Sequence, residues 1–329
     1  MDSLVATAPV RIDFGGGWTD VPPYSDERGG VVCSAAIELY ATATLRRRGS
    51  PDHGAAADGP DAALARAAVR RAGNPDLELI VQADYPVGAG LGGSSAAGVA
   101  ALGALACWRG EVPDPAGLAE ESRRLEIDDL GIAGGRQDHY AAAFGGVLGL
   151  WFEGGQTRLR RLDSEVINET LAQRCVVAYT GRSRISGHTI TAVLGAYRAR
   201  ERRVIEALDR MRDLAAEMIA ALEAGDVDSL GSLVGEHWIH QRSLHPAIPT
   251  PLIDRLLEVA RNAGAIGGKA LGASGGGCVL AIAPADRVSA VRRAMVELAH
   301  PLSVRIATRG FRLVEPGPDA TARIGGASS

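Results

Sequence analysis

The chain has 329 residues, of which 46% are hydrophobic and 22% charged, and its formal net charge is -4. That length is more than one ordinary hydrophobic core organises, so two domains sharing an interface are expected, and the apolar-to-charged balance excludes a disordered or fibrous chain. A negative net charge excludes binding of nucleic acid by bulk phosphate neutralisation, which leaves a small molecule as the expected partner.

Met1 to Val10 lacks a basic segment followed by a long apolar run, and no stretch of about 18 apolar residues occurs, so a cytoplasmic protein without membrane contact is expected. Leu4 to Phe14 reads as a strand and Val31 to Leu45 as further strand, with a glycine-rich turn between them. Gly49 to Pro60 reads as a surface loop, Ala62 to Ala72 as a helix and Leu77 to Val81 as a strand. That strand runs into Pro86-Val-Gly-Ala-Gly-Leu-Gly-Gly-Ser-Ser-Ala-Ala97 and an alanine-rich helix to about Cys107. Asp114 as N-cap and Pro115 at the first helical position start another helix, which carries Glu126 and stops at Gly131.

Cys175 to Tyr179 is a short apolar strand, and a domain boundary is expected near it, between residues 172 and 173. Val204, Leu208, Met211, Ala215, Met218 and Leu222 recur at spacings of four and three, the stripe of a long amphipathic helix. Asp226 to Gln241 and Pro251 to Ala263 read as helices, Cys278 to Ile282 as a strand, and residues 315–329 as a disordered tail. Cys33, Cys107, Cys175 and Cys278 have no C-x-x-C spacing, so reduced thiols are expected rather than zinc or a disulfide framework. His188, His237 and His240 lack metal-ligand spacing and read as surface or packing residues.

The segment from Gly88 to Ser95 carries most chemistry. Glycines let backbone N–H groups turn towards a phosphate, and the helix that follows presents its own unsatisfied N–H groups to the same anion. Ser94 and Ser95 add hydroxyls suited to phosphate or magnesium. Gly88, Gly90 and Gly93 also satisfy the dinucleotide pattern G-x-G-x-x-G, with Glu111 where a ribose-binding acid falls, so the loop alone leaves a nucleotide-dependent oxidoreductase open.

In context, the loop resembles the second signature of the GHMP kinases. Ala8-Pro-Val-Arg-Ile-Asp-Phe-Gly-Gly-Gly-Trp-Thr-Asp20 resembles the first signature and Leu271-Gly-Ala-Ser-Gly-Gly-Gly-Cys278 the third, with Gly134-Gly-Arg-Gln-Asp-His-Tyr140 between. The four segments fall in the family's order, span roughly Leu4 to Ile282, and include stretches that a dinucleotide fold leaves unexplained. The resemblance implies an α+β fold: an N-terminal mixed α/β domain over 1–172 holding the phosphate loop, and a C-terminal ferredoxin-like two-layer domain over 173–314. It implies a monomer or homodimer that uses ATP and Mg2+ to phosphorylate a sugar or sugar phosphate. A non-catalytic sugar and nucleotide sensor on the same fold is the reading from another class, although Arg11 and Asp138 are both retained.

The resemblance makes Asp138 the catalytic base and Arg11 its cationic partner, and assigns ATP phosphates to Gly88, Ala89, Gly90, Leu91, Gly92, Gly93, Ser94 and Ser95. Ser94 with Glu126 is the implied magnesium pair, Asp128 and Asp129 being alternatives to Glu126. Gly17, Thr19 and Asp20, with Gly275 and Gly276, are the implied sugar contacts. Within the family, Tyr179-Thr-Gly-Arg-Ser-Arg184, Trp238 to Leu244 and Ala263-Gly-Ala-Ile-Gly-Gly-Lys269 resemble the D-glycero-D-manno-heptose 7-phosphate kinases, whereas Gly16-Gly-Trp-Thr-Asp-Val-Pro-Pro-Tyr24 resembles the fucokinases. Both groups phosphorylate an anomeric hydroxyl. A substrate that already carries phosphate needs a second anion site, for which Arg182, Arg184, Arg242 and Lys269, the only lysine in the chain, are candidates.

Overall fold

The computed structural model describes residues 3–49, 61–132, 134–182 and 187–314. All of the loop expected over Gly49 to Pro60 except Gly49, and the tail expected over 315–329, lie outside the described residues.

Strand β1 (Ser3–Gly15) leads through the short helix α1 (Tyr24–Arg28) to β2 (Gly30–Arg47), its antiparallel partner. Pro9, which has no N–H to give to the ladder, sits at a register shift between Pro9 and Val10. Next come α2 (Ala62–Ala72), β3 (Leu77–Ala83), α3 (Gly93–Trp108), α4 (Pro115–Arg124), a π turn (Leu125–Asp129), α5 (Gln137–Phe144), β4 (Val147–Glu153), β5 (Gln156–Arg161) and α6 (Glu165–Arg174). The chain continues with β6 (Cys175–Tyr179), α7 (Gly187–Arg198), α8 (Arg202–Glu223), α9 (Val227–Ser243), α10 (Pro251–Asn262), β7 (Gly267–Ala270), β8 (Cys278–Ile282), α11 (Val288–Val296), β9 (His300–Leu302) and β10 (Arg312–Val314).

Two sheets result. The first runs β10-β1-β2-β4-β5 with β3 also on β2, and the second runs β7-β8-β6-β9. The expected boundary at 172–173 falls inside α6, just before the chain leaves the first sheet for the second, and β10 returns to pair with β1. Helix α3 is apolar and small-residue-rich all round, so it is buried on nearly every face, and Gly98 lets Ser122 of α4 approach closely. Helix α8 joins the halves: Val204, Leu208 and Met211 pack in the second core, while Leu214, Met218 and Leu222 pack in the first. Each such side chain contributes about 1.5–3 kcal/mol when fully buried, so one continuous stripe ties the halves together.

Asp114 accepts from the Gly117 N–H at 2.8 Å, as its N-cap position predicts, and Thr250 caps α10 from the Ile253 N–H at 3.2 Å. The four cysteines are free thiols. Among the described residues no helix is long and apolar enough to cross a membrane.

Candidate active site

The three glycine segments and the start of α5 meet around one cavity of about 460 Å³. Arg11 and Asp13 reach it from β1, Gly17 and Asp20 from the following turn, Gly88 to Ser95 from the β3–α3 connection, Glu126 from the π turn, and Gln137 and Asp138 from α5. A larger hollow of about 760 Å³ between α2 and β3 contains none of the candidate chemical groups.

The phosphate loop is built by alternation. Gly88, Gly90 and Gly92 have φ of 71°, 75° and 73°, while Ala89 and Leu91 between them are buried and anchor the loop to the core. Gly92 is required twice over: its left-handed backbone disfavours a side chain, and a Cβ there would stand 3.0 Å from the Asp138 carboxyl carbon. No side chain caps α3, so its first-turn N–H groups remain available to an anion.

Ser94 is exposed to the cavity and its hydroxyl donates to Glu126 Oε1, while Ser95 is buried and lies 3.4 Å from the same oxygen. Glu126 is only 5% exposed. Burial works against its charge, but the His139 imidazole, 3.3 Å from Oε2, and the two serine hydroxyls outweigh it and hold Glu126 below the usual carboxylate range. The π turn is what aims it, because Asp128 and Asp129 on the same turn are exposed and Asp129 pairs with Arg71 at 2.6 Å. Ser94 and Glu126 are hard oxygen donors of the kind magnesium prefers, and they stand together beside the glycine loop.

Arg11 Nε donates to Asp138 Oδ1 at 2.7 Å and Arg11 Nη1 donates to the Gly90 carbonyl at 2.5 Å. Burial opposes the arginine's charge, yet Asp138, Asp13 and Asp20 outweigh it, so Arg11 stays cationic. The Asp20 carboxyl is 1% exposed. Burial pushes it up to about 6 despite a 3.0 Å bond from the Gln137 backbone N–H, with the charge of Asp138 adding to the shift. Gly135 is required beside it, since a Cβ would come within 1.9 Å of Asp20 Oδ2. The turn bearing Asp20 is anchored by His237, whose Nε2 accepts from the Gly16 N–H at 2.9 Å; burial, then Lys269, lower its pKa well below the ordinary histidine value and keep the ring neutral.

Several expected contacts are not brought to the cavity. Thr19 is fully buried, and its hydroxyl bonds the Gly16 carbonyl at 2.7 Å and accepts from the Val31 N–H at 3.1 Å, so it builds the turn instead of facing a ligand. Gly275 donates to the Ile248 carbonyl at 2.9 Å and Gly276 packs on the Arg182 backbone, so the third loop reaches the cavity through Gly272 and Ala273. Arg182 is exposed away from the cavity lining, and Arg242 pairs with Asp254 at 3.0 Å on the surface. Lys269 is buried against Asp13. Arg184 and the His188 side chain lie outside the described residues. His237, Asp13, Gln137 and His139 were not singled out for the site from sequence; of these, Asp13 alone carried a signal, sharing a strand face with Arg11 two residues away.

A glycine loop opening a helix, a buried acid with two hydroxyls and an aspartate paired to arginine agree with phosphoryl transfer. The chain belongs to the GHMP kinases: residues 62–146 match the GHMP kinases N terminal domain and residues 218–300 the GHMP kinases C terminal domain. It is similar to the D-glycero-alpha-D-manno-heptose 7-phosphate kinase of Campylobacter jejuni, 28% identical over 304 residues covering 84% of this chain and 88% of that protein. It is 31% identical to the galactokinase of Mycobacterium bovis over 272 residues, 71% of this chain and 73% of that protein. A solved D-glycero-D-manno-heptose 1-phosphate kinase from Bacteroides thetaiotaomicron superposes with a TM-score of 0.75 at 25% identity, covering 95% of this chain and 99% of that one. The protein is thus a sugar kinase of the GHMP family, a phosphotransferase with an alcohol acceptor and a small-molecule substrate; kinases of this family use ATP, generally with magnesium.

Proposed function

We propose that the chain transfers the γ-phosphate of ATP to the anomeric hydroxyl of D-glycero-D-manno-heptose 7-phosphate, giving the 1,7-bisphosphate. The observation that carries this reading is the place of Asp138, which shares one cavity with the glycine loop and Asp20 and is held by Arg11 at 2.7 Å. Its carboxylate accepts the proton of the attacking hydroxyl as the new O–P bond forms and the bond from Pγ to the bridging oxygen breaks, releasing ADP. Arg11 offsets charge on the developing alkoxide, and Asp20 accepts from sugar hydroxyls next to the reacting one. Magnesium, held by Ser94 and Glu126, would supply positive charge at the nucleotide phosphates.

The choice of heptose 7-phosphate draws on the likeness to the Campylobacter jejuni kinase. One observation favours a fucokinase-like enzyme acting on a free sugar: Arg11 is the only cationic side chain among the described residues lining the cavity, and it is already paired with Asp138. ADP release across heptose 7-phosphate, the unphosphorylated heptose, fucose and galactose separates the two. Heptose 7-phosphate is expected to give the highest kcat/KM, with a second phosphorus resonance at the anomeric position of the product; better turnover of fucose overturns the choice. Asp138→Asn is expected to stay folded and to lose roughly 10²–10⁴-fold in kcat. Near-normal turnover removes Asp138 from the role of base.

A further inference from the structure

In a chain that otherwise uses arginine for every fixed cation, the single lysine is wholly inside the protein: Lys269, on β7, is 0% exposed. Its ammonium donates to the Asp13 carboxylate and, at 3.2 Å, to the Asp13 backbone carbonyl. Such a pair costs desolvation that well-packed apolar residues would avoid, so packing alone does not explain it. Asp13 is the node. Its second oxygen accepts from the Gly272 N–H at 3.3 Å and lies 4.0 Å from Arg11 Nη1, the nitrogen that donates to Gly90. Lys269, Asp13, Arg11 and Asp138 thus form a chain of alternating charge that touches both the phosphate loop and the third glycine loop. The two loops are joined independently by the Cys278 N–H donating to the Ala89 carbonyl at 2.8 Å.

We propose that Lys269 is a positioning residue for phosphoryl transfer: by satisfying Asp13 it leaves the Arg11 guanidinium to Asp138 and to the Gly90 carbonyl. Without the ammonium, Asp13 becomes an uncompensated buried anion next to Arg11 and draws the guanidinium away from the base. Lysine suits this place where arginine does not, because a compact ammonium can serve one carboxylate without five donors needing partners in a closed interior. The inference rests on the reading of Asp138 given above, and two measurements keep the two separable.

The first is a double-mutant cycle on kcat per folded molecule. Lys269→Met is expected to lower kcat roughly tenfold or more, and adding Asp13→Asn to it is expected to restore most of the loss, because the competing anion is gone. A structural role alone would lower the melting temperature and leave kcat per folded molecule within twofold of the parent, which would overturn the proposal, as would a double variant no faster than Lys269→Met. The second works without a Lys269 variant. Selective 13C labelling of lysine gives signals from one residue only, and Asp138→Asn, at the far end of the charge chain, is expected to move the Lys269 Cε resonance in the intact enzyme. An unmoved resonance refutes the coupling. If Asp138→Asn keeps its turnover while the resonance moves, the base assignment fails and the charge chain stands.

Discussion

Two carboxyl groups line one cavity, both almost completely buried, and their protonation is driven in opposite directions. Glu126, beside Ser94, is held below the usual range because His139, Ser94 and Ser95 supply more than burial removes. Asp20, near Arg11 and Asp138, is pushed up to about 6 because burial exceeds what the Gln137 N–H returns and Asp138 adds like charge. Equal depth does not set equal chemistry; the neighbours do, since the His139 imidazole beside Glu126 favours its charge and the Asp138 carboxylate beside Asp20 opposes it. The first is a finished anion, suited to a cation. The second keeps a burial cost that its present bonds do not repay, which agrees with the sugar-binding role proposed for it.

The comparison can be broken at either end. Glu126→Gln removes the finished anion, and the magnesium concentration for half-maximal activity is expected to rise roughly 10–100-fold; a titration of rate against Mg2+ checks it, and an unchanged midpoint would move the metal to another ligand. In the sugar-binding role proposed for Asp20, the ionised carboxylate is the stronger acceptor for hydroxyls, so KM for the sugar is expected to rise roughly tenfold between pH 7 and pH 5, and Asp20→Asn is expected to abolish that slope. The same group predicts a stability trend of unusual sign for an aspartate. Its folded pKa of about 6 lies above the ordinary 3.8, so its penalty is absent below about pH 4, grows as pH rises, and is complete above about pH 6. Melting of the ligand-free protein at pH 7 is therefore expected to occur at a higher temperature in Asp20→Asn, with the gain vanishing at acid pH. Away from both ends, Asp114→Ala costs about 1 kcal/mol through loss of the Gly117 cap and leaves kcat unchanged, which denaturant titration and steady-state rates together test.

Elements with local causes were legible in the chain. The bounds of α2, the capped start of α4 and the stripe of α8 follow from propensity, capping and periodicity that neighbouring residues carry among themselves. The β4–β5 hairpin and α6 were not read, although β4 is mostly buried and β5 is polar with Arg158, Arg160 and Arg161. Pairing with β2, far away in sequence, makes β5 a strand by way of β4.

The site divides along the same line. A glycine-rich loop suited to an anion was legible in the spacing of Gly88, Gly90 and Gly93 and the serines after them, because left-handed backbone and helix N-termini are local properties. Which polar side chains face the ligand was decided only by folding. Thr19 turned inward to build its own turn, the π turn buried Glu126, already placed ahead of Asp128 and Asp129, and Lys269, read as a cation for a substrate, closed on Asp13, 256 residues away. Composition names the charges a chain possesses; burial, which depends on what distant segments bring alongside, determines which of them meet a ligand and which meet each other.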